Sequence, residues 1–246
     1  MATRGSADVG FLIIGGYDLL GDSTTLDTAI EQVLEETTPL GAAWPTHAQA
    51  GLKRGTFAQG GFYNDATGKS NEALVSLSGT ARVGLVSHAG NTIGRNFQGF
   101  AGLVQSKYQR QVSLGALHKG QSEHAVTGQF EEGVILHALG AETAASGNTD
   151  ASSVDNGASS ANGGAAYFAV TDLTLGGYTN VALKVRHSAD DVTYADLATA
   201  TVVTAAPAAE RVAVNGTVNR HLYASWAYNG AGSGQSVTFV AGFCRG

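Results

Sequence analysis

A pattern that changes character at every second residue restricts this chain more than any other feature, because successive side chains of a strand point to opposite faces of a sheet. Val181, Leu183 and Val185 alternate with polar neighbours, and so do Val237, Phe239, Ala241 and Phe243. The segments "AAYFAVTDL", "NVALKVRHS", "TYADLATATVV", "ERVAVNGTVNRHLYASWAY" and "SVTFVAGFCR" supply five to seven such strands in about 80 residues. Gly176 and Gly177, "SADD", Pro207 and "NGAGSG" punctuate them. Short strands at that spacing predict a β-sandwich over residues 153–246.

The same period appears earlier in "ARVGLVS", "NFQGFAGLVQSKYQRQVSL", "SEHAVTGQF" and "GVILHAL". One stretch departs from it. In "DSTTLDTAIEQVLEETTPLG" the apolar residues Leu26, Ala29, Ile30, Val33 and Leu34 fall at i, i+3, i+4, i+7 and i+8, the stripe of a helix. Thr24 with Asp27 resembles a capping box, and Thr37, Thr38 and Pro39 stop the pattern. The spacing therefore predicts an α-helix over about 25–37 whose outer face, with Asp27, Glu31, Gln32, Glu35 and Glu36, is acidic. That face is either solvated or meets a basic surface on a neighbouring copy. A short second helix is expected around Asn71 to Leu77. The fold class is thus mainly β: a barrel or sandwich over residues 1–140 with one flanking helix, then the C-terminal sandwich.

Between these regions, "SGNTDASSVDNGASSANGGAA" has Val154 as its one sizeable apolar side chain. Residues 141–152 read as a linker, and the part from Ser153 onward as the first edge of the sandwich, with "DNG" a turn and Val154 its first core residue. A second irregular stretch, "GAAWPTHAQAGLKRGTFAQGG" from Gly41 to Gly61, sets Trp44, Phe57, Lys53 and Arg54 among glycine and alanine. Long segments without regular structure tend to be functional, so it is either a contact arm or a plain strand over 52–63 followed by a glycine turn. The candidate contact residues are Trp44, Lys53, Arg54 and Phe57, with Glu31 and Glu35.

Charged residues are 14% of the chain, against about 25% in an average soluble domain. So little charge favours association of copies, although a globular β-protein rich in glycine turns accounts for it too. The net charge of −6 divides evenly, −3 up to residue 140 and −3 beyond, which leaves no basic region for nucleic-acid binding. The single cysteine, Cys244, allows no internal disulfide and reads as a packed thiol in a reducing compartment. The apolar run Phe11 to Ile14 is too short for a signal sequence or a membrane span, so synthesis in the cytoplasm is expected.

No enzyme signature survives inspection. His187, Ser188 and Asp190 lie close in "RHSADD", but neighbours on an extended chain point apart and cannot form a triad. The seven histidines carry no zinc spacing. "NGAGSGQS" lacks the lysine of a phosphate loop and reads as a hairpin loop, and Asp150, Asp155 and Asn156 lack the order of a calcium loop. Glu131 and Glu132 are neighbours on a strand and diverge. No catalytic residue, cofactor or metal is expected.

The order of segments is itself informative. "FLIIGGYDLLGDSTTLDTAIEQVLEETTPLG", "GTFAQGGFYNDATGKSNEALVSL" and "VGLVSHAGNTIGRNFQGFAGLVQSKYQRQVSLGALHKGQSEHAV" resemble the major tail proteins of long-tailed bacteriophages, the subunits of the tail tube. "SVDNGASSANGGAAYFAV", "VALKVRHSADDVTYADL" and "AERVAVNGTVNRHLYASW" are similar to the add-on β-sandwich of phage structural proteins. The resemblance implies a self-assembling virion protein, made in the bacterial cytoplasm and resident in the phage tail. It implies hexameric rings of this chain stacked into a conduit through which DNA passes without specific binding. Its partners would be other copies of itself and the tape-measure, terminator and tail-tip proteins; no membrane is involved. Other readings are a head decoration or tail-tip protein, or a carbohydrate-binding module that stacks sugars on Tyr167, Tyr178, Tyr194, Trp226 or Tyr228.

Overall fold

A computed structural model describes residues 5–41 and 43–246; residues 1–4 and Ala42, the latter within the 41–61 segment, lie outside the described residues. It is 57% strand and 7% helical, as a mainly β fold requires. In chain order the elements are β1 (Phe11–Ile14), β2 (Tyr17–Asp18), β3 (Ser23–Glu36), β4 (His47–Phe62), α1 (Ser70–Ser76), β5 (Arg82–Ser87), β6 (Asn96–Gln111), β7 (Lys119–Val126), β8 (Phe130–Glu142), β9 (Ser146–Asn148), β10 (Val154–Asp155), β11 (Gly164–Thr174), β12 (Asn180–Ser188), β13 (Ala195–Thr199), β14 (Ala208–Val214), β15 (His221–Asn229) and β16 (Ser236–Arg245).

One large antiparallel sheet runs β14-β11-β16-β8-β6-β5-β1-β2, and β7, β4 and β3 continue from the far half of β6. A second sheet, β10-β15-β12-β13 with β9 also on β15, packs over one end of it. Three buried clusters follow. Phe168, Leu183, Trp226, Phe239 and Phe243 fill the space between the two sheets. Phe11, Ile13, Leu85, Tyr167, Val240 and Cys244 lie on the other face of the large sheet. Leu12, Ile14, Phe57, Leu74, Phe100 and Leu103 form a third cluster, which takes in Ala73, Leu74 and Leu77 from α1 and its C-cap.

The run Phe11 to Ile14 is explained by this arrangement. Phe11 and Ile13 enter the second cluster and Leu12 and Ile14 the third, so β1 is apolar on both faces. A strand covered on both sides reads as a continuous apolar run rather than an alternating one. At Gly242 an added Cβ would lie 2.4 Å from the Phe97 ring, a close approach that only glycine permits.

The helix expected over 25–37 is a strand: Ser23–Glu36 forms β3, and the α-helix lies at Ser70–Ser76, where the short second one was expected. Leu26, Thr28 and Ile30 share one face, opposite Gln59, Phe57 and Gly55 of β4, and Leu26 packs on the third cluster. The apparent capping residue Thr24 instead donates its hydroxyl to the Gly60 carbonyl at 3.3 Å. Twelve residue pairs with β4 give this backbone its hydrogen bonds. With Thr24, Thr25, Thr28, Ile30 and Val33 β-branched, that partner outweighs the helical tendency of Leu, Ala and Glu.

Residues 141–152, where a linker is expected, carry backbone pairs along most of their length. Ala141 and Glu142 end β8 against β16, and Ser146–Asn148 pairs with Trp226 and its neighbours on β15. Val154 packs against the first cluster, as its isolation in a polar stretch suggested. β16 lies between β8 and β11, so strands of the first 142 residues and of the last 83 share one sheet. The "NGAGSG" stretch joins β15 to β16 in different sheets, and is therefore a crossover between layers rather than a hairpin loop. Arg211 on β14 reinforces the junction: its Nε and Nη2 each donate to Glu131 on β8 at 2.7 Å, and the Tyr167 hydroxyl donates to the same carboxylate at 2.5 Å. Burial pushes the Glu131 carboxyl up, but these bonds outweigh it and hold it below the usual carboxylate range.

Candidate assembly surfaces

The feature that stands clear of the packed body is the β3–β4 hairpin. β7 pairs with β4 only from Gly55 to Phe62. Toward the tip, His47 to Arg54 therefore have, among the described residues, β3 alone as a strand partner, and β3 has none on its other edge. The hairpin becomes a two-stranded ribbon that runs on for about eight residues, roughly 25 Å at strand rise. Thr37 N donates to the Thr46 carbonyl at 2.8 Å and Thr46 N to Thr38 Oγ1 at 2.9 Å, which closes the tip.

Strand alternation sorts the six expected contact residues. Phe57 is 1% exposed, edge-on to Phe100 and His124 at 5.5 Å each, so it anchors the ribbon in the core and presents nothing to a partner. Lys53 lies on the face shared with Phe57 and, with Ile30, Val126, Gln129 and Phe130, lines a cleft of about 340 Å³ at the ribbon's root. Glu31 and Arg54 are register partners on the opposite, exposed face. Glu35 is exposed four residues further out. Trp44 is 81% exposed in the tip loop, which also carries the exposed Leu40, and Leu34 near the end of β3 is half-exposed. An exposed indole on a projecting loop is a ready anchor for a protein contact.

Sequence reasoning missed two parts of this surface. Leu34 belongs to the expected helical stripe, whereas on β3 it is half-exposed, and Leu40, past the strand's end, is fully exposed in the tip loop. The β6–β7 loop was also missed: Val112, Leu114 and Leu117 are exposed because β6 ends at Gln111, although the alternation Tyr108, Arg110, Val112, Leu114 continues past it. The signal was available in "VSLGAL", where three apolar side chains crowd a turn.

The candidates for chemistry are occupied elsewhere. Ser188 is buried and donates to Asp190 Oδ1 at 2.7 Å, while His187 Nδ1 accepts from Asn219 N at 3.2 Å, so no triad forms. Asp155 is held by Arg220 Nε and Nη2, both at 2.6 Å, which keeps its carboxyl far below the usual range. Among the described residues no group of three or more His, Cys, Asp or Glu is placed to hold a metal. Cys244 is buried, and desolvation pushes its thiol far up. Tyr167, Trp226 and Tyr228 are buried too, which removes three of the five aromatics considered for sugar stacking. Among the described residues no helix is long and apolar enough to cross a membrane.

No family model matches the chain, and no curated protein matches it. Among the solved structures to which it is similar are three from viral or gene transfer agent particles. One is a protein of the tail of an empty gene transfer agent particle with C6 symmetry, at 11% identity and a TM-score of 0.41, covering 52% of this chain and 97% of that one. Another belongs to the virion of a native gene transfer agent particle, at 12% identity and a TM-score of 0.42, with the same coverage. A third is the Dit protein of phage SPP1, described as a paradigm of the hub adsorption apparatus in phages infecting Gram-positive bacteria. Its identity is 11% and its TM-score 0.36, over 96% of this chain and 98% of that one.

Proposed function

We propose that this chain is a structural subunit of a phage-type tail and, within the tail, the major tube protein, which assembles into stacked hexameric rings that conduct DNA. The observation that carries this reading is the β3–β4 ribbon, an arm that leaves the body with an exposed Trp44 and, among the described residues, no strand on the outer edge of β3. A long exposed strand edge and an apolar tip are liabilities in a monomer and suit a chain that lives in an assembly. The low charge and the acidic total are compatible with a lumen that DNA slides past. Residues 1–140 would supply the assembly contacts and 153–246 an accessory outer face; no catalysis is involved. Cyclic closure of one heterologous interface makes a ring, and repetition of a second along the axis makes a tube.

Negative-stain microscopy with sedimentation velocity over a range of concentrations tests the reading. Rings or tubes are expected. A chain that remains monomeric at every concentration overturns it.

A further inference from the structure

The two exposed apolar loops of the large sheet lie at opposite ends of the same strands. β4 runs from the arm to Phe62, β7 returns from Lys119, opposite Phe62, to Val126, opposite Gly55, and β6 pairs Gln111 with Lys119. The β6–β7 loop therefore sits at the far end of β4 from the arm, roughly 50 Å away along sixteen residues of strand.

The two ends differ in charge. From Val33 to Leu52 the formally charged side chains are Glu35 and Glu36, alongside the exposed apolar Leu34, Leu40 and Trp44. From Lys107 to Lys119 they are Lys107, Arg110 and Lys119, alongside the exposed Val112, Leu114 and Leu117. Lys107 is committed to Glu123 at 3.0 Å. Arg110 rests over the Tyr108 and Tyr63 rings, at 5.2 and 5.8 Å, and Lys119 is exposed. Behind the loop, Asp22 accepts from Asn64 Nδ2 and Ser70 N and Glu72 from Gly68 N, bonds to neutral donors that leave both carboxylates charged, and the same segment carries Asp65 and Lys69. The arm's tip, beyond Lys53 and the Glu31–Arg54 pair, is thus apolar and negative, and the β6–β7 loop itself is apolar and positive.

We infer that the β6–β7 end, with Arg110, Val112, Leu114, Leu117 and Lys119, is the receiving surface for the β3–β4 tip of a second copy of this chain. Leu34, Leu40 and Trp44 then pack on the three apolar side chains of the loop, and Glu35 and Glu36 face Lys119 and Arg110. Because the two surfaces lie at opposite ends of one body, each copy can give and receive at once, and the contact propagates head to tail. This rests on the self-assembly reading above and names its partner surface.

A charge exchange in the full chain tests it. Glu35→Lys with Glu36→Lys, and separately Arg110→Glu with Lys119→Glu, are each expected to raise the concentration at which assembly sets in by about tenfold. All four together restore it to near the wild-type value, with far-UV circular dichroism unchanged throughout. Should the two pairs weaken assembly without restoring it in combination, or leave it unaltered, the pairing is overturned while self-assembly stands. A wild-type chain that never associates overturns both. As an independent readout, Leu40→Cys with Leu114→Cys is expected to give a ladder of disulfide-linked oligomers on oxidation, since Cys244 is buried and does not compete. Single-cysteine variants are expected to stay unlinked; dimers from either one alone would mean that like ends meet, and would overturn the head-to-tail contact.

Discussion

Replacing Trp44 with alanine separates the contact from the fold. An aromatic side chain has about 150–250 Å² to bury, and Trp44 leaves 81% of its surface exposed in the single chain. Burying about 160 Å² of that against a neighbour, at about 25 cal/mol per Å², contributes about 4 kcal/mol per contact as an upper bound. That corresponds to about a thousandfold in the association constant. The side chain makes no core contact at home, so the stability of the subunit should change by less than about 0.5 kcal/mol. Sedimentation velocity across concentration, with thermal unfolding under conditions where both proteins are monomeric, reads the two effects separately. The expected result is a large shift in the association midpoint with an unchanged Tm. An unchanged midpoint refutes the tip as an anchor. A Tm lowered by several degrees shows instead that Trp44 packs within its own subunit.

Other consequences follow from the interior. His124 lies against Phe57 with neither ring nitrogen bonded to a described residue, and burial lowers its pKa to about 4. The unfolded chain therefore binds a proton that the folded one refuses as the pH falls from about 6.5 toward 4. Stability present above that window drops through it by about 3 kcal/mol, and a His124→Leu variant melted at the same pH values should lack this component. Phe57→Ala removes the arm's anchor and should cost about 3–5 kcal/mol in denaturant unfolding. Gly147→Ala sets a Cβ 2.2 Å from the Trp226 ring, an overpacking expected to cost about 1–3 kcal/mol in the same assay. Deleting residues 150–246 strips β16 from β8 and takes Tyr167, Val240 and Cys244 out of the second cluster. The remainder should aggregate or melt without cooperativity, and a soluble fragment with a sharp transition would contradict that account.

Most strands were legible because alternation is a local property. "ARVGLVS" became β5, "NVALKVRHS" became β12 and "SVTFVAGFCR" became β16, each within a residue or two. Residues 23–36 were not legible, because i, i+4 spacing is satisfied by both periods. Glu31 and Glu35 share a face in a helix and equally in a strand, and so do Leu26 and Ile30. Only the presence of β4, eleven or more residues away along most of the pairing, decides between the two. The segment from Gly41 to Gly61 left a contact arm and a plain strand over 52–63 open; the strand is His47–Phe62, and where its partner β7 stops, which no local pattern records, is what turns the hairpin into an arm.

The sequence by itself determined a mainly β chain, the short helix near residue 71, the turns, and the absence of a recognisable catalytic motif, since each depends on neighbours within a few residues. Tertiary structure alone decided that Phe57 is core while Trp44 is free, and that residues 130–142 and 236–245 share a sheet. It also decided that the acidic tip of the arm and the β6–β7 loop with Arg110 and Lys119 sit at opposite ends of one body. Burial and placement depend on which distant strands pair and where the pairing ends, and this is settled by competition among backbone partners and buried surface across the whole chain.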